Sequence, residues 1–174
     1  ANYNEIEEIL TVDGAVSTKS FLRVYRAFVA SAGSLQTNKG AVLVSTGASG
    51  GGTVLADIGI IGTGTTFGLG QTQLALYTIP AGKTGYLYNW NVGIGSYNDT
   101  ATATLYTREI GNGLIFRTRD IMDIPGGLHQ RTYTVPFTIP EKTDIEVRAI
   151  AATGTTVSSA FDIILYDTPR TMQV

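Results

Sequence analysis

The chain has 174 residues, the length of one ordinary globular domain. Its 12 basic and 14 acidic residues make up only 15% of the chain, against about 25% in a typical soluble domain. The net charge of −2 and the lack of a Lys/Arg block exclude a basic nucleic-acid binder. The absence of cysteine excludes disulfides, thiolate metal sites and cysteine nucleophiles, and no apolar run approaches the ~20 residues of a membrane helix.

The first 20 residues predict an arm in front of a single domain over residues 21–174. Three glutamates, at positions 5, 7 and 8, surround the apolar residues Ile6, Ile9 and Leu10. Asn4 is a candidate N-cap. The segment is therefore either a helix of one or two turns or an arm that becomes ordered on a partner.

Residues 21–70 predict a strand, a hairpin and a loop. Apolar residues recur with a period of two in Phe21–Ala30, which favours a strand packed on both faces. The segments at 41–44 and 54–58 flank the glycine run 47–52 and predict a hairpin with a long loop. Residues 59–70 are rich in Gly and Thr and predict a flexible loop.

Beyond residue 71 the alternation of apolar and polar residues becomes regular, as in half-buried antiparallel strands. Four sets of alternating residues each predict one strand face, and the set that contains the single Trp is expected to lie in the core. The sets are Tyr86, Tyr88, Trp90, Val92 and Ile94; Tyr133, Val135, Phe137 and Ile139; Ile145, Val147 and Ala149; and Phe161, Ile163 and Leu165. Pro136 indicates an edge strand or a bulge.

Turn sequences separate these segments, notably around Pro80–Gly82 and Pro125–Gly127. Nine or ten strands spaced by 8–15 residues, without a long helix, predict an all-β fold. The fold class we expect is an antiparallel β-sandwich that is jelly-roll-like and carries an N-terminal arm.

Catalytic and metal-binding patterns are weak. Gly82-Lys83-Thr84 lacks the earlier glycine and the following helix of a P-loop, so it predicts a turn between strands. His129 is the single histidine and has no neighbouring nucleophile, which favours a turn or strand-edge role. Asp120 and Asp123 lie three apart, on opposite faces of a strand, and are expected to pair with nearby arginines. The sequence thus predicts no catalytic residue, no cofactor and no metal.

A mixed face of arginine and isoleucine predicts a subunit interface. Arg117 and Arg119 share one face of a predicted strand with Ile115 and Ile121, and arginine is favoured at protein interfaces because its planar group pairs with carboxylates. We expect this face, together with Ile6, Ile9 and Leu10 of the arm, to contact other protein chains. An ordinary exposed surface is the alternative interpretation.

Three short sequence segments resemble segments of small β-sandwich virion proteins of tailed bacteriophages. They are Tyr77–Tyr86 (YTIPAGKTGY), Phe116–Arg119 (FRTR) and Ile139–Ile145 (IPEKTDI), within a region of similarity over residues 71–167. The resemblance implies a jelly-roll component, often trimeric, that decorates or cements the capsid or belongs to the tail or fibre apparatus. It carries no catalytic residues.

The sequence therefore predicts a non-enzymatic structural protein of a phage virion, most simply a capsid decoration or cement protein. Its expected partners are other copies of itself, with a trimer favoured, and the major capsid protein or another virion protein. The alternative is a receptor- or carbohydrate-binding module, such as a tail-fibre or lectin-like sandwich. That alternative requires exposed aromatic residues on loops, for which Tyr97 and Tyr133 are the candidates.

Overall fold

The computed structural model describes residues 3–12, 15–31, 38, 40–48, 51–59, 70–110, 115–151 and 155–168. Its contacts define two compact units, one over Glu5–Leu74 and one over Ala75–Val174 that also includes Asn2–Asn4. The sequence predicts a boundary at residue 20, between an arm and a single folded domain. The division of the contacts near residue 74 is a separate boundary, and the one at residue 20 stays a prediction.

Nine β-strands make up the regular structure of the described residues, and every strand pair is antiparallel. The strands are β1 (Val42–Ser45), β2 (Val54–Ile58), β3 (Leu76–Thr78), β4 (Lys83–Ile94), β5 (Ala101–Glu109), β6 (Arg117–Ile124), β7 (Leu128–Ile139), β8 (Thr143–Ala151) and β9 (Val157–Asp167). The predicted all-β antiparallel fold is confirmed.

The first unit contains the predicted hairpin, since β1 pairs with β2. The predicted strand over Phe21–Ala30 is wrong, because only one isolated bridge forms there, between Phe28 and Gln71. The Ala27 amide donates to the Thr72 hydroxyl at 3.0 Å, so a side chain takes part in the pairing at this point. Described residues 3–12 contain no helical turn. Most of the predicted loop 59–70 lies outside the described residues.

The second unit is a sandwich of two sheets. One sheet has the strand order β3-β8-β5-β6 and the other has β7-β4-β9. Buried side chains from both sheets form one core, with Trp90, Leu105 and Ile145 among the least exposed. Tyr3, near the start of the chain, joins this unit because its carbonyl accepts a hydrogen bond from the Ala81 amide at 3.0 Å.

A β-bulge at Tyr88 changes which side chains of β4 face the core. Leu87 pairs with Ile163 and Asn89 pairs with Asp162, so Tyr88 is one extra residue on β4 relative to β9. Leu87 is buried before the bulge, whereas Trp90 is buried after it. The prediction that Tyr86 and Tyr88 share the core face of Trp90 is therefore wrong, although Trp90, Val92 and Ile94 are buried as expected.

Strand β7 departs from regular pairing at Pro136. Its pairing with β4 jumps from Phe137 to Thr132, so that residues 133–136 are skipped, and β7 is one of the two edge strands of its sheet. Both meanings predicted for Pro136 are confirmed, because an edge and an irregularity each remove the need for its missing amide proton. The strict alternation predicted here is wrong at Val135, which is 81% exposed.

Candidate interaction surfaces

Gly82-Lys83-Thr84 and His129 lie where the sequence predicts, the first at a turn between strands and the second in an edge strand. Lys83 begins β4 directly after the turn closed by its amide and the Pro80 carbonyl, at 3.2 Å, so Gly82-Lys83-Thr84 connects strands as predicted. His129 lies near the start of the edge strand β7, where its Nε2 is 2.9 Å from the Gly126 carbonyl oxygen. That contact fixes the ring against its own turn.

The outer face of the four-stranded sheet carries a buried ion pair. Asp144 on β8 is 1% exposed, although it points away from the core. Arg108 donates to its Oδ2 from both Nε at 2.9 Å and Nη2 at 2.6 Å, and the Thr78 hydroxyl donates to Oδ1 at 2.6 Å. A carboxylate this deeply buried requires such partners, because an unpaired buried charge is strongly destabilising.

Aromatic rings cover the ion pair from above. The Arg108 guanidinium lies 4.6 Å from the centroid of Phe116, and the Arg148 guanidinium lies 4.4 Å from the same ring and 5.3 Å from Tyr106. Arg148 also pairs with Glu146. The cluster therefore pairs four charged side chains of this face within the chain, Arg108 with Asp144 and Arg148 with Glu146.

Two isoleucines project from the same outer face. Ile121 of β6 pairs with Thr104, and Ile150 of β8 pairs with Thr102, so both side chains point away from the core. Ile121 is 51% exposed and Ile150 is 82% exposed. Exposed apolar side chains close to Arg148 give this face the mixed arginine and isoleucine character expected of an interface.

The sequence assigned that character to a partly wrong set of residues. Asp120 pairs with Leu105 and Thr118 pairs with Tyr106, so Arg119 is an extra, bulged residue. Consequently Arg117, opposite Thr107, faces the core side of the sheet, whereas Ile121 faces outward. The prediction that Arg117 and Ile121 share a face is wrong, while the interface itself stays a prediction.

Two further residues predicted for the interface, Arg119 and Ile115, lie outside the outward-facing group of Ile121 and Ile150. Arg119 donates from Nε to the Thr107 hydroxyl at 2.7 Å and lies 3.8 Å from a Glu109 carboxylate oxygen. Ile115 precedes β6 and is well exposed. The structure therefore brings Ile121, rather than Arg117 or Arg119, into the outward-facing group with Ile150.

Asp120 connects the two sheets instead of pairing with Arg117 or Arg119. Its Oδ2 accepts a hydrogen bond from the Trp90 indole at 3.2 Å and another from the Tyr133 hydroxyl, and Arg131 donates to its Oδ1. Burial and the contact with Asp120 together raise the pKa of the Tyr133 hydroxyl. Asp123 instead accepts a hydrogen bond from the Thr102 hydroxyl at 2.8 Å. The two carboxylates thus lie on opposite faces, as predicted, with different partners.

The N-terminal residues also carry exposed apolar side chains. Ile6, Ile9 and Leu10 are all exposed, and Ile9 is 85% exposed. One polar anchor orders the segment locally, since the Glu8 carboxylate accepts hydrogen bonds from the hydroxyls of Ser17 and Thr18. These bonds, the Ser17 bond above all, lower the pKa of Glu8 to about 2.

Of the two aromatic residues offered for the binding-module alternative, Tyr97 is the exposed one, at 87%. It lines an open cleft of about 390 Å³ at one end of the three-stranded sheet. Sequence reasoning named Tyr97 but missed the cleft, whose floor is glycine. The spacing of Gly93 and Gly95 before Tyr97 was the signal that could have indicated it.

Comparisons with known proteins identify no relative of this chain. No protein-family model matches it, and searches of curated proteins and of solved structures find no significant match. Among the described residues, no three His, Asp or Glu side chains are grouped as metal ligands would be. Within the same residues, no helix is long and apolar enough to cross a membrane.

Proposed function

We propose that the chain is a non-enzymatic structural component of a tailed-phage virion, a capsid decoration or cement protein that binds the shell and further copies of itself. A trimer is the favoured assembly, and a jelly-roll connectivity is part of the same proposal. The sequence phrases over residues 71–167 support the class of protein. The exposed apolar surfaces support the mode of action.

One observation carries the proposal, namely the apolar N-terminal segment. Within described residues 3–31, eight large hydrophobic side chains are exposed and no named strand forms. They are Ile6, Ile9, Leu10, Val12, Val16, Phe21, Leu22 and Phe28. Large exposed apolar patches mark interaction sites in soluble proteins. A segment of this kind gains most of its stability when a partner covers it.

The sandwich supplies the complementary requirement, which is a stable body. On its outer face, Arg108 pairs with Asp144 and Arg148 pairs with Glu146. Its exposed Ile121 and Ile150 offer a second contact surface on one face. A stable interface of roughly 1,600 Å² that is divided over several such contacts does not require a single deep pocket.

Light scattering of the purified chain tests self-association. We expect a mass of three times 18.5 kDa for the full chain. Deleting residues 1–19 is expected to reduce that mass to one chain. The truncated protein should still show the cooperative unfolding transition of a folded sandwich. A full-length monomer at every concentration would contradict self-association in solution.

Mass spectrometry of purified particles tests the location. Phage particles that encode this chain, banded in a density gradient, are expected to yield its tryptic peptides in many copies per particle. Their absence from intact particles, with detection in the lysate, would contradict the virion assignment.

A further inference from the structure

The cleft beside Tyr97 has a floor without side chains. It lies where β4 ends and where β7 and β9 begin. Gly93 pairs with Leu128 on one side and Ser158 on the other, so a trough one residue wide runs across β4. A Cβ atom at Gly93 would lie 3.2 Å from the Ser158 Oγ and 3.5 Å from the Leu128 Cδ1, so the trough is narrow over Gly93 and wider beside Gly95, where an added Cβ would meet only the Thr156 carbonyl oxygen at 4.0 Å. Its volume of about 390 Å³ falls in the range of small-molecule sites.

The turn before β7 holds the Tyr97 wall in place. A Cβ atom at Gly126 would lie 2.6 Å from the Tyr97 carbonyl oxygen, and one at Gly127 would lie 3.2 Å from Cε1 of its ring. Both glycines also have positive φ, at 110° and 73°. The Tyr97 segment therefore packs against a turn that only glycine permits. An exposed aromatic ring is held beside the trough at small entropic cost.

The two sides of the trough differ in chemistry. Leu128 is 73% exposed and, with the Tyr97 ring, offers an apolar surface. Ser158 and Thr156 contribute hydroxyl groups. No charged side chain is among the described residues that line it. A charged ligand would find no counter-charge here, and a wholly apolar ligand would leave the hydroxyls without partners.

We propose that this trough binds one ring of a neutral saccharide. The apolar C–H face of a sugar ring packs on Tyr97 and Leu128, while its hydroxyls exchange hydrogen bonds with Ser158 and Thr156. This site is independent of the proposed role in assembly, and it gives the protein a further function in saccharide binding. A shallow site of this size predicts a dissociation constant of about 1 mM for a single ring.

Amide chemical shifts of the ¹⁵N-labelled full chain provide the test. The probes are the methyl glycosides of glucose, galactose, mannose, N-acetylglucosamine and rhamnose, added one at a time. We expect at least one of them to shift the amides of Gly93, Gly95 and Ser158 in a saturable manner. If none of these glycosides shifts those amides, the proposal is overturned.

Four variants locate the binding. Tyr97→Ala is expected to weaken binding at least tenfold, whereas Tyr97→Phe, which keeps the ring, retains it. Gly95→Val fills the cleft, and because its Cβ would meet only the Thr156 carbonyl at 4.0 Å the fold should tolerate it. Tyr88→Ala removes an exposed tyrosine from the β4 bulge and is the matched control. Binding that survives both Tyr97→Ala and Gly95→Val, in proteins with unchanged thermal midpoints, would overturn the assignment.

Discussion

The sandwich and the N-terminal residues treat the same kinds of side chain in opposite ways. In the sandwich, Ile145 is fully buried and Asp144 beside it is charged and paired, so both contribute to one folded body. In the N-terminal residues, Ile9 is almost fully exposed although it lies next to an equally well-bonded carboxylate, Glu8. The difference indicates that polar anchoring alone fixes a local conformation, while burial of apolar surface decides which part of the chain is stable by itself.

Arg108→Ala is expected to have the largest effect on the sandwich. It removes both guanidinium hydrogen bonds to Oδ2 of Asp144 and leaves a carboxylate at 1% exposure without its charged partner, which lowers the free energy of unfolding by about 3–5 kcal/mol. Urea unfolding followed by the fluorescence of Trp90, the single tryptophan, measures the change. The double variant Arg108→Met/Asp144→Leu should recover most of the loss. A double variant as unstable as the single one would contradict an electrostatic cause.

Asp120→Ala is expected to cost somewhat less, about 2–3 kcal/mol, because the Trp90 indole and the Tyr133 hydroxyl lose a shared acceptor inside the sandwich. The matched control is Asp123→Ala on the same strand. Asp123 points outward and accepts from Thr102, so its loss should change the free energy of unfolding by less than about 0.5 kcal/mol. Equal effects of the two substitutions would show that Asp120 does not connect the sheets.

Much of the sandwich could be predicted because a strand with one buried face records its structure in its own sequence. The alternation at Ile145–Ala149 and at Phe161–Leu165 reports local geometry, and both segments are strands with the expected faces. The pattern around Phe21–Ala30 looked similar and forms no strand. Alternation therefore needs a pairing partner, which a single segment cannot reveal.

The errors in the candidate surfaces have one physical cause. Bulges at Tyr88 and Arg119 shift the phase of β4 and β6, and each arises from how a strand matches its neighbours, which are distant in sequence. The shift at Arg119 separates Arg117 from Ile121 and gives Asp120 its inward position. The burial of Asp144 was equally hidden, because its cover comes from arginine and aromatic side chains on other strands.

Ile9→Ala sharpens the comparison, because it changes an isoleucine that has almost no cover. We expect less than about 0.5 kcal/mol of lost stability, whereas Ile145→Ala in the core should cost about 2–5 kcal/mol. The solution mass should distinguish the two variants in the opposite order. The Ile9→Ala protein should dissociate at a higher protein concentration than the Ile145→Ala protein does. An Ile9→Ala protein that unfolds as easily as Ile145→Ala would mean that the N-terminal residues are buried within the chain.

Glu8→Gln is expected to have the smallest effect, confined to the bonds that order residues 8–19. The pKa of Glu8 is about 2, against an ordinary value of 4.5, because the hydroxyls of Ser17 and Thr18 donate to the ionised carboxylate. Its stabilising contribution is therefore complete above pH 4.5 and decreases as the pH falls from 4.5, where the unfolded form gains a proton, to about 2, where the folded form does.

Carbon-13 NMR of the side-chain carboxyls measures the pKa of Glu8 directly. Hydrogen exchange at the amides of Thr18 and Lys19 measures how far the ionised carboxylate protects them. The backbone amides of Thr18 and Lys19 both donate to the Glu8 carboxylate, so at neutral pH they should exchange faster in Glu8→Gln than in the native chain. Glu7→Gln is the control, because Glu7 contributes its backbone carbonyl, not its carboxylate, to the bond with Lys19. A Glu8 carboxyl that titrates near 4.5 would contradict the hydrogen bonds from Ser17 and Thr18 as the anchor of the N-terminal residues.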